Sequence, residues 1–146
     1  MLPVELEVTS KVSIDRALAS LPTGWQNIDV LINNAGLALG LEPAHQAHLD
    51  DWDTMIDTNV KGLLYVTRQI APMMREQCAG HIINIGSTAG KIVYKNGNVY
   101  CASKAAVAAL TKGMRLDLLP QRAPKVWDDL MHDAAYQVAL ERLAQV

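Results

Sequence analysis

Apolar positions recur along this chain with two alternating periods, the two-residue period of a strand and the roughly 3.6-residue period of a helix. Val4-Glu5-Leu6-Glu7-Val8 alternates apolar and acidic residues and predicts a strand. Ile14, Ala17, Leu18 and Leu21 then fall at helical spacing, with Ser13 the expected cap and Pro22-Thr23-Gly24 the stop. Ile28-Asp29-Val30-Leu31-Ile32 predicts a strand buried on both faces, ending in the loop Asn33-Asn34-Ala35-Gly36. Beyond the polar stretch through Glu42-Pro43, Asp50 is expected to cap a long helix. Its stripe of Trp52, Met55, Ile56, Val60, Leu63, Leu64 and Ile70 faces a core. Gly80-His81-Ile82-Ile83-Asn84-Ile85-Gly86 predicts the next buried strand, with Ser87 at its carboxyl end, and another helix runs from Tyr100 to Leu118. Trp127, Leu130, Met131, Ala134, Val138 and Arg142 share one helical face, which predicts an amphipathic helix over 126–146.

Strand and helix taking turns in this way build a parallel sheet with right-handed crossovers, so the expected class is α/β. Ligands of such sheets bind beyond the carboxyl ends of the strands, which is where Asn34, Gly36 and Ser87 fall. With 146 residues, half of them hydrophobic, the chain has material for one core. Its formal net charge of −2, with no run of Lys or Arg, lacks the basic footprint of a nucleic-acid binder. No stretch is long and apolar enough for a membrane span, and Met1 to Glu7 does not read as a leader, so a cytoplasmic location is expected. Cys78 and Cys101 form no Cys-x-x-Cys motif and suit a reducing compartment; Cys101 reads as a small helix residue rather than a nucleophile. His45 and His48 lie near Glu42 and Asp50 without a convergent third ligand, so they read as solvated loop residues and no metal site is expected.

Candidate chemistry changes the picture at Tyr100 and Lys104. Residues four apart share a helix face, so the Lys104 ammonium can favour the ionised phenol of Tyr100. A free phenol titrates near pH 10, too high for proton transfer at neutrality, and a neighbouring positive charge brings it into use. The pair alone is common in helices, but it stands in an ordered set: Asn33-Asn34-Ala35-Gly36, Asn59-Val60-Lys61-Gly62, Ser87, and Tyr100-Cys101-Ala102-Ser103-Lys104. This set resembles the short-chain dehydrogenase/reductase family from about Leu6 to Leu119. Asn33 to Gly40, Asp51-Trp52, Met55 to Asn59, Gly80 to Gly90 and Gly97 to Tyr100 further resemble the branch acting on 3-hydroxy acids, including serine and allo-threonine.

The resemblance implies a catalytic set of Asn59, Ser87, Tyr100 and Lys104. Tyr100 would protonate a substrate carbonyl oxygen and take the proton back in the reverse oxidation, while Ser87 would hold that oxygen where charge develops. Lys104 would serve Tyr100 and also hydrogen-bond the nicotinamide ribose. Asn59 would complete a proton relay through water; an amide within an apolar stripe also fits a purely structural bond to neighbouring backbone. Asn34, Ala35 and Gly36 would contact the cofactor, as would Glu7-Val8 at the adenine, where the family has Asp-Val. NADP is the implied cofactor, with NAD possible, and the implied partners are a small hydroxy acid or carbonyl substrate and further copies of the chain.

The chain departs from the family at both ends. No Gly-rich turn for the pyrophosphate precedes Leu6, so an incomplete Rossmann-like doubly wound sheet lacking its first strands is expected, with cofactor binding impaired by truncation. Residues 1–119 would form this partial domain and residues 120–146 a divergent helical tail in place of a further strand. The alternative is a non-catalytic fragment that keeps the helices used for assembly.

Overall fold

The computed structural model describes residues 1–118 and 125–127. Helix α1 (Lys11–Ala19) leads to strand β1 (Val30–Asn33). A continuous helical stretch follows, made of α2 (Leu49–Ile56), a π-helical turn (Asp57–Gly62) and α3 (Leu63–Glu76). Strand β2 (His81–Asn84), helix α4 (Asn98–Leu118) and strand β3 (Lys125–Trp127) complete the order. The strands form one parallel sheet, β1-β2-β3, with Val30 opposite His81, Asn33 opposite Asn84, and His81 opposite Lys125. This is the α/β alternation that the hydrophobic periods predict.

One face of the sheet carries the core. Leu31 of β1 and Ile82 of β2 pack with Ile14 of α1 and with Val66, Ile70 and Met74 of α3, which is why the apolar stripes of both helices face inward. Removing each such side chain from water stabilises the fold by about 1.5–3 kcal/mol. Cys101 and Val107 of α4 are also buried, Cys101 as a small packed residue.

Polar residues lie inside this core and are paired. Asn33 and Asn84 close their strands at the same level of the sheet, and the Asn33 amide donates to Asn84 Oδ1 at 2.8 Å and to Thr67 Oγ1 of α3 at 2.9 Å. Asn84 in turn donates to Thr111 Oγ1 of α4 at 2.9 Å, and Thr111 donates to the Val107 carbonyl. Both strands and both long helices are thereby joined through buried groups that would be costly to leave unmet.

Several local expectations are corrected. Residues 4–8 are not a strand: a strand needs a ladder partner, and none of the described strands pairs with them. Ser10, not Ser13, caps α1 by accepting from the Ser13 amide, while the Ser13 hydroxyl accepts from the Glu7 amide. His48 rather than Asp50 occupies the cap position of α2, without a side-chain bond, and Asp50 lies in the first turn. Strand β1 is buried on one face only, since Val30 and Ile32 are 51% and 57% exposed. The long helix is interrupted by the π turn. Val126 and Trp127, expected to open a helix, belong to β3, where pairing with the second edge of β2 outweighs a helical period that a short segment cannot distinguish. The rest of the expected tail helix lies outside the described residues.

Asn84→Ala should strip partners from both the Asn33 amide and the Thr111 hydroxyl. We expect a loss of about 2–4 kcal/mol in urea unfolding, against about 1 kcal/mol for Thr111→Val, which removes a single hydroxyl. Equal costs for the two variants would contradict the network.

Candidate active site

The carboxyl ends of β1 and β2 place two loops side by side, and α4 closes over them. After β1 the chain runs through Asn34, Ala35 and Gly36, all exposed. After β2 it reaches Ser87, whose hydroxyl accepts from the Ala89 amide at 3.2 Å and caps the short turn Thr88–Gly90. The Ser87 hydroxyl keeps its own hydrogen for donation. Gly90 is required by close approach: a Cβ there would lie 2.8 Å from the Lys104 carbonyl oxygen, so only glycine lets the Ser87 turn pack against α4.

Lys104 and Asn59 bind the loops to one another. Lys104 is 8% exposed, and its ammonium donates to the carbonyl of Ile85, at the end of β2, at 2.8 Å. Asn59 sits in the π turn and is 2% exposed. Its amide nitrogen donates to the Leu37 carbonyl at 2.8 Å and to Ser103 Oγ at 3.0 Å, and its oxygen accepts from the Leu37 amide at 2.8 Å. Ser103 passes the connection on by donating to the Tyr100 carbonyl at 2.8 Å. The side-chain amide of Asn59 is therefore bonded to the Leu37 backbone and to α4. An extra residue in the helical ladder turns this side chain toward the β1 loop, and such π turns recur at functional sites.

Tyr100 is half-buried and lines a cleft of about 550 Å³ together with Gly40, Glu42, Asp51, Trp52 and Tyr94. A Cβ at Gly36 would meet Asn59 Oδ1 at 3.3 Å and Lys104 Nζ at 3.6 Å. Gly36 of the loop after β1 thus lies against Asn59 and Lys104. Glu7 and Val8 stand apart from it in their bonding. The Glu7 carboxylate accepts from the amide and the hydroxyl of Thr9, both at 2.9 Å, and Val8 packs against Gly62 of the π turn.

Sequence reasoning missed Ser103, Leu37 and the buried pair Asn33 and Asn84. A signal for the pair was available, since Val-Leu-Ile-Asn and His-Ile-Ile-Asn end two apolar strands in the same way. His45 and His48 lie in a turn and at the cap of α2.

The model of the short chain dehydrogenase family matches residues 1–124. The chain belongs to this family. It is 57% identical over 118 residues to an NADP-dependent 3-hydroxy acid dehydrogenase, YdfG, of Salmonella typhi, covering 81% of this chain and 48% of the relative. It is 44% identical over 115 residues to a serine 3-dehydrogenase of Agrobacterium fabrum, covering 79% of this chain and 46% of that one. Among solved structures, the closed form of a serine dehydrogenase complexed with NADP+ superposes with a TM-score of 0.77 at 58% identity, over 78% of this chain and 46% of the other. The chain spans about half the length of the curated relatives it matches.

The hydrogen bonds from Thr9, its backbone amide first and its hydroxyl second, hold the Glu7 carboxyl below its ordinary value of 4.5. A lowered acid favours the fold above the ordinary carboxylate range, and that contribution fades as pH falls through the lowered value. Glu7 should therefore titrate below an ordinary glutamate when followed by carboxyl NMR, and Thr9→Val should move it part of the way back. An unmoved midpoint in the variant would remove the hydroxyl from the account.

Proposed function

We propose that this chain carries the proton-transfer half of an NADP-dependent oxidoreductase acting on a small hydroxy acid or related secondary alcohol. The observation that carries the reading is the packing of α4 on the Ser87 turn, with Lys104 fastened to the end of β2 and Tyr100 one helical turn away, facing a cleft. The relatives named for NADP-dependent 3-hydroxy acid and serine dehydrogenation support the same assignment.

In this reading Tyr100 exchanges a proton with the substrate oxygen, giving it during carbonyl reduction and taking it during alcohol oxidation. Ser87 donates its hydroxyl hydrogen to that oxygen, where charge grows in the transition state. Lys104, anchored on the Ile85 carbonyl, presents positive charge and N–H donors at the sheet end. Asn59 holds the β1 loop and α4 in register, so it positions rather than relays protons through its side-chain amide. The cradle of Asn34, Ala35, Gly36 and Lys104 fits the nicotinamide ribose, and the nicotinamide ring of the cofactor would supply or accept hydride when bound. Glu7 and Val8 are assigned to the adenine end, the shared family position. NADP is assigned in preference to NAD.

The same reading places the protein in the cytoplasm, in keeping with two free cysteines, and makes it a homo-oligomer. An apolar groove of about 970 Å³ between α3 and α4, lined by Leu64, Ala71, Leu110 and Met114, supports self-association through these helices.

Turnover with L-serine or 3-hydroxypropionate and NADP+, followed by nicotinamide absorbance, should fall by about 10²–10⁴-fold in Tyr100→Phe while the circular dichroism stays unchanged. Undiminished turnover would take Tyr100 out of the mechanism. Sedimentation at tens of micromolar should give a mass above the 15.9 kDa of one chain, and a monomeric mass would refute the assembly.

A further inference from the structure

The cleft beside Tyr100 is larger and more apolar than a three-carbon hydroxy acid requires. Its volume of about 550 Å³ falls in the range of sites that bury ligands of drug size. Leu39, Leu41, Trp52, Met55, Tyr94 and Val99 supply apolar surface along it. Three of these are open to solvent, Leu39 at 36%, Leu41 at 71% and Tyr94 at 45% exposure, so a ligand that covers them removes apolar surface from water. The wall is also held in place. The Leu39 amide donates to Met55 Sδ of α2 at 3.4 Å, and the Tyr94 carbonyl accepts from the Gly97 amide at 3.1 Å. The Tyr94 ring lies so close to Gly97 that a Cβ there would run into Cε2, with Cδ2 at 2.8 Å. An aromatic ring is thereby fixed beside the first turn of α4, which carries Tyr100. Burial, with the Cys101 thiol and the Tyr100 phenol nearby, raises the Tyr94 phenol above its ordinary value of 10.0, so this ring stays neutral. The polar lining is unfavourable to an added anion. Glu42 and Asp51 are acidic, and none of the described lining residues is Lys, Arg or His. Glu42 Oε2 is buried with no hydrogen-bond partner among the described residues and is closed to a ligand, yet a carboxylate brought into the cleft still meets like charge.

We propose that Tyr94, with Leu39 and Leu41, forms an aryl-binding wall of this cleft, so that neutral secondary alcohols bearing an aromatic ring on the carbinol carbon, and the matching aryl ketones, are bound in preference to their short aliphatic counterparts. The inference rests on Tyr100 as the proton-transfer group, because that assignment brings the reacting oxygen to this cleft. An aromatic ring there covers the exposed leucines and meets the Tyr94 ring offset or edge-on, which adds to the burial of apolar surface. A short aliphatic alcohol leaves most of that surface wet, and a carboxylate adds charge that the cleft does not neutralise.

1-Phenylethanol and 2-butanol are both neutral secondary alcohols and differ by phenyl against ethyl, which makes them a matched pair of probes. Their binding to the purified chain can be followed without cofactor or turnover through the indole N–H resonance of Trp52, which lines the cleft. The wild-type chain should bind 1-phenylethanol about tenfold or more tightly than 2-butanol, as burial of the added ring implies. Tyr94→Ala should reduce that margin to about twofold or less, whereas Tyr94→Phe, which keeps the ring and loses only the hydroxyl, should retain it. Equal affinities in the wild type, no response of Trp52 to either alcohol, a margin that survives Tyr94→Ala, or one lost in Tyr94→Phe would each overturn the proposal. So would a response of the Met114 methyl, in the groove between α3 and α4, without one at Trp52. If Tyr94→Ala fails to fold, Leu41→Ser at its exposed position decides, since the margin should shrink there too and an unchanged one would overturn the proposal. Full turnover by Tyr100→Phe with the binding margin intact would refute the proton-transfer assignment and leave the aryl wall standing. Loss of the margin with turnover still dependent on Tyr100 would do the reverse, so the two failures are distinct.

Discussion

The hydrogen bond from Asn33 to Asn84 is the constraint on which the rest of the site depends. In a parallel pair, a slip of one residue turns every side chain to the other face. Two asparagines whose amides meet at 2.8 Å in the core allow one register, because a slip would strand both buried amides. Fixing β1 against β2 at this level also fixes the loops that leave them. Asn34 to Gly36 and Ser87 therefore emerge side by side, and Thr111 ties α4 to the same point.

The second level of organisation is backbone capture by polar side chains. Lys104 holds the Ile85 carbonyl, and Asn59 holds both polar groups of Leu37. Each fastens a loop, which has no ladder of its own, to a helix that does. The π turn is central to this arrangement, since it brings Asn59 inward at the cost of regular helix geometry. Packing of Gly90 against the Lys104 backbone then sets the distance between the Ser87 turn and α4. The proton transfer proposed for this site would require closely placed reacting groups, and rigid attachment of this kind favours such placement.

The cleft shows how a family framework leaves room for selectivity. The groups assigned to proton transfer come from the turn after β2 and from α4, whereas the acidic wall comes from the irregular stretch before α2 and from its first turn. Loops of this kind can vary without disturbing the sheet that aligns the reacting groups. Charge in the cleft can thus be set separately from the chemistry.

Much of the fold was legible in the chain itself. Apolar periods located β1, β2, α3 and α4 and their parallel arrangement, because side-chain burial obeys the geometry of the backbone it hangs from. The ordered motifs around Asn34, Asn59, Ser87, Tyr100 and Lys104 disclosed the family. Tertiary structure alone decided the remainder. Whether residues 4–8 form a strand, and whether Val126 and Trp127 do, depends on a pairing edge that no local pattern contains. The partners of Asn59, the π turn that aims it, and the unpartnered oxygen of Glu42 all arise between segments distant in sequence. Periodicity records which residues turn inward; what they meet there is settled only when the chain has closed on itself.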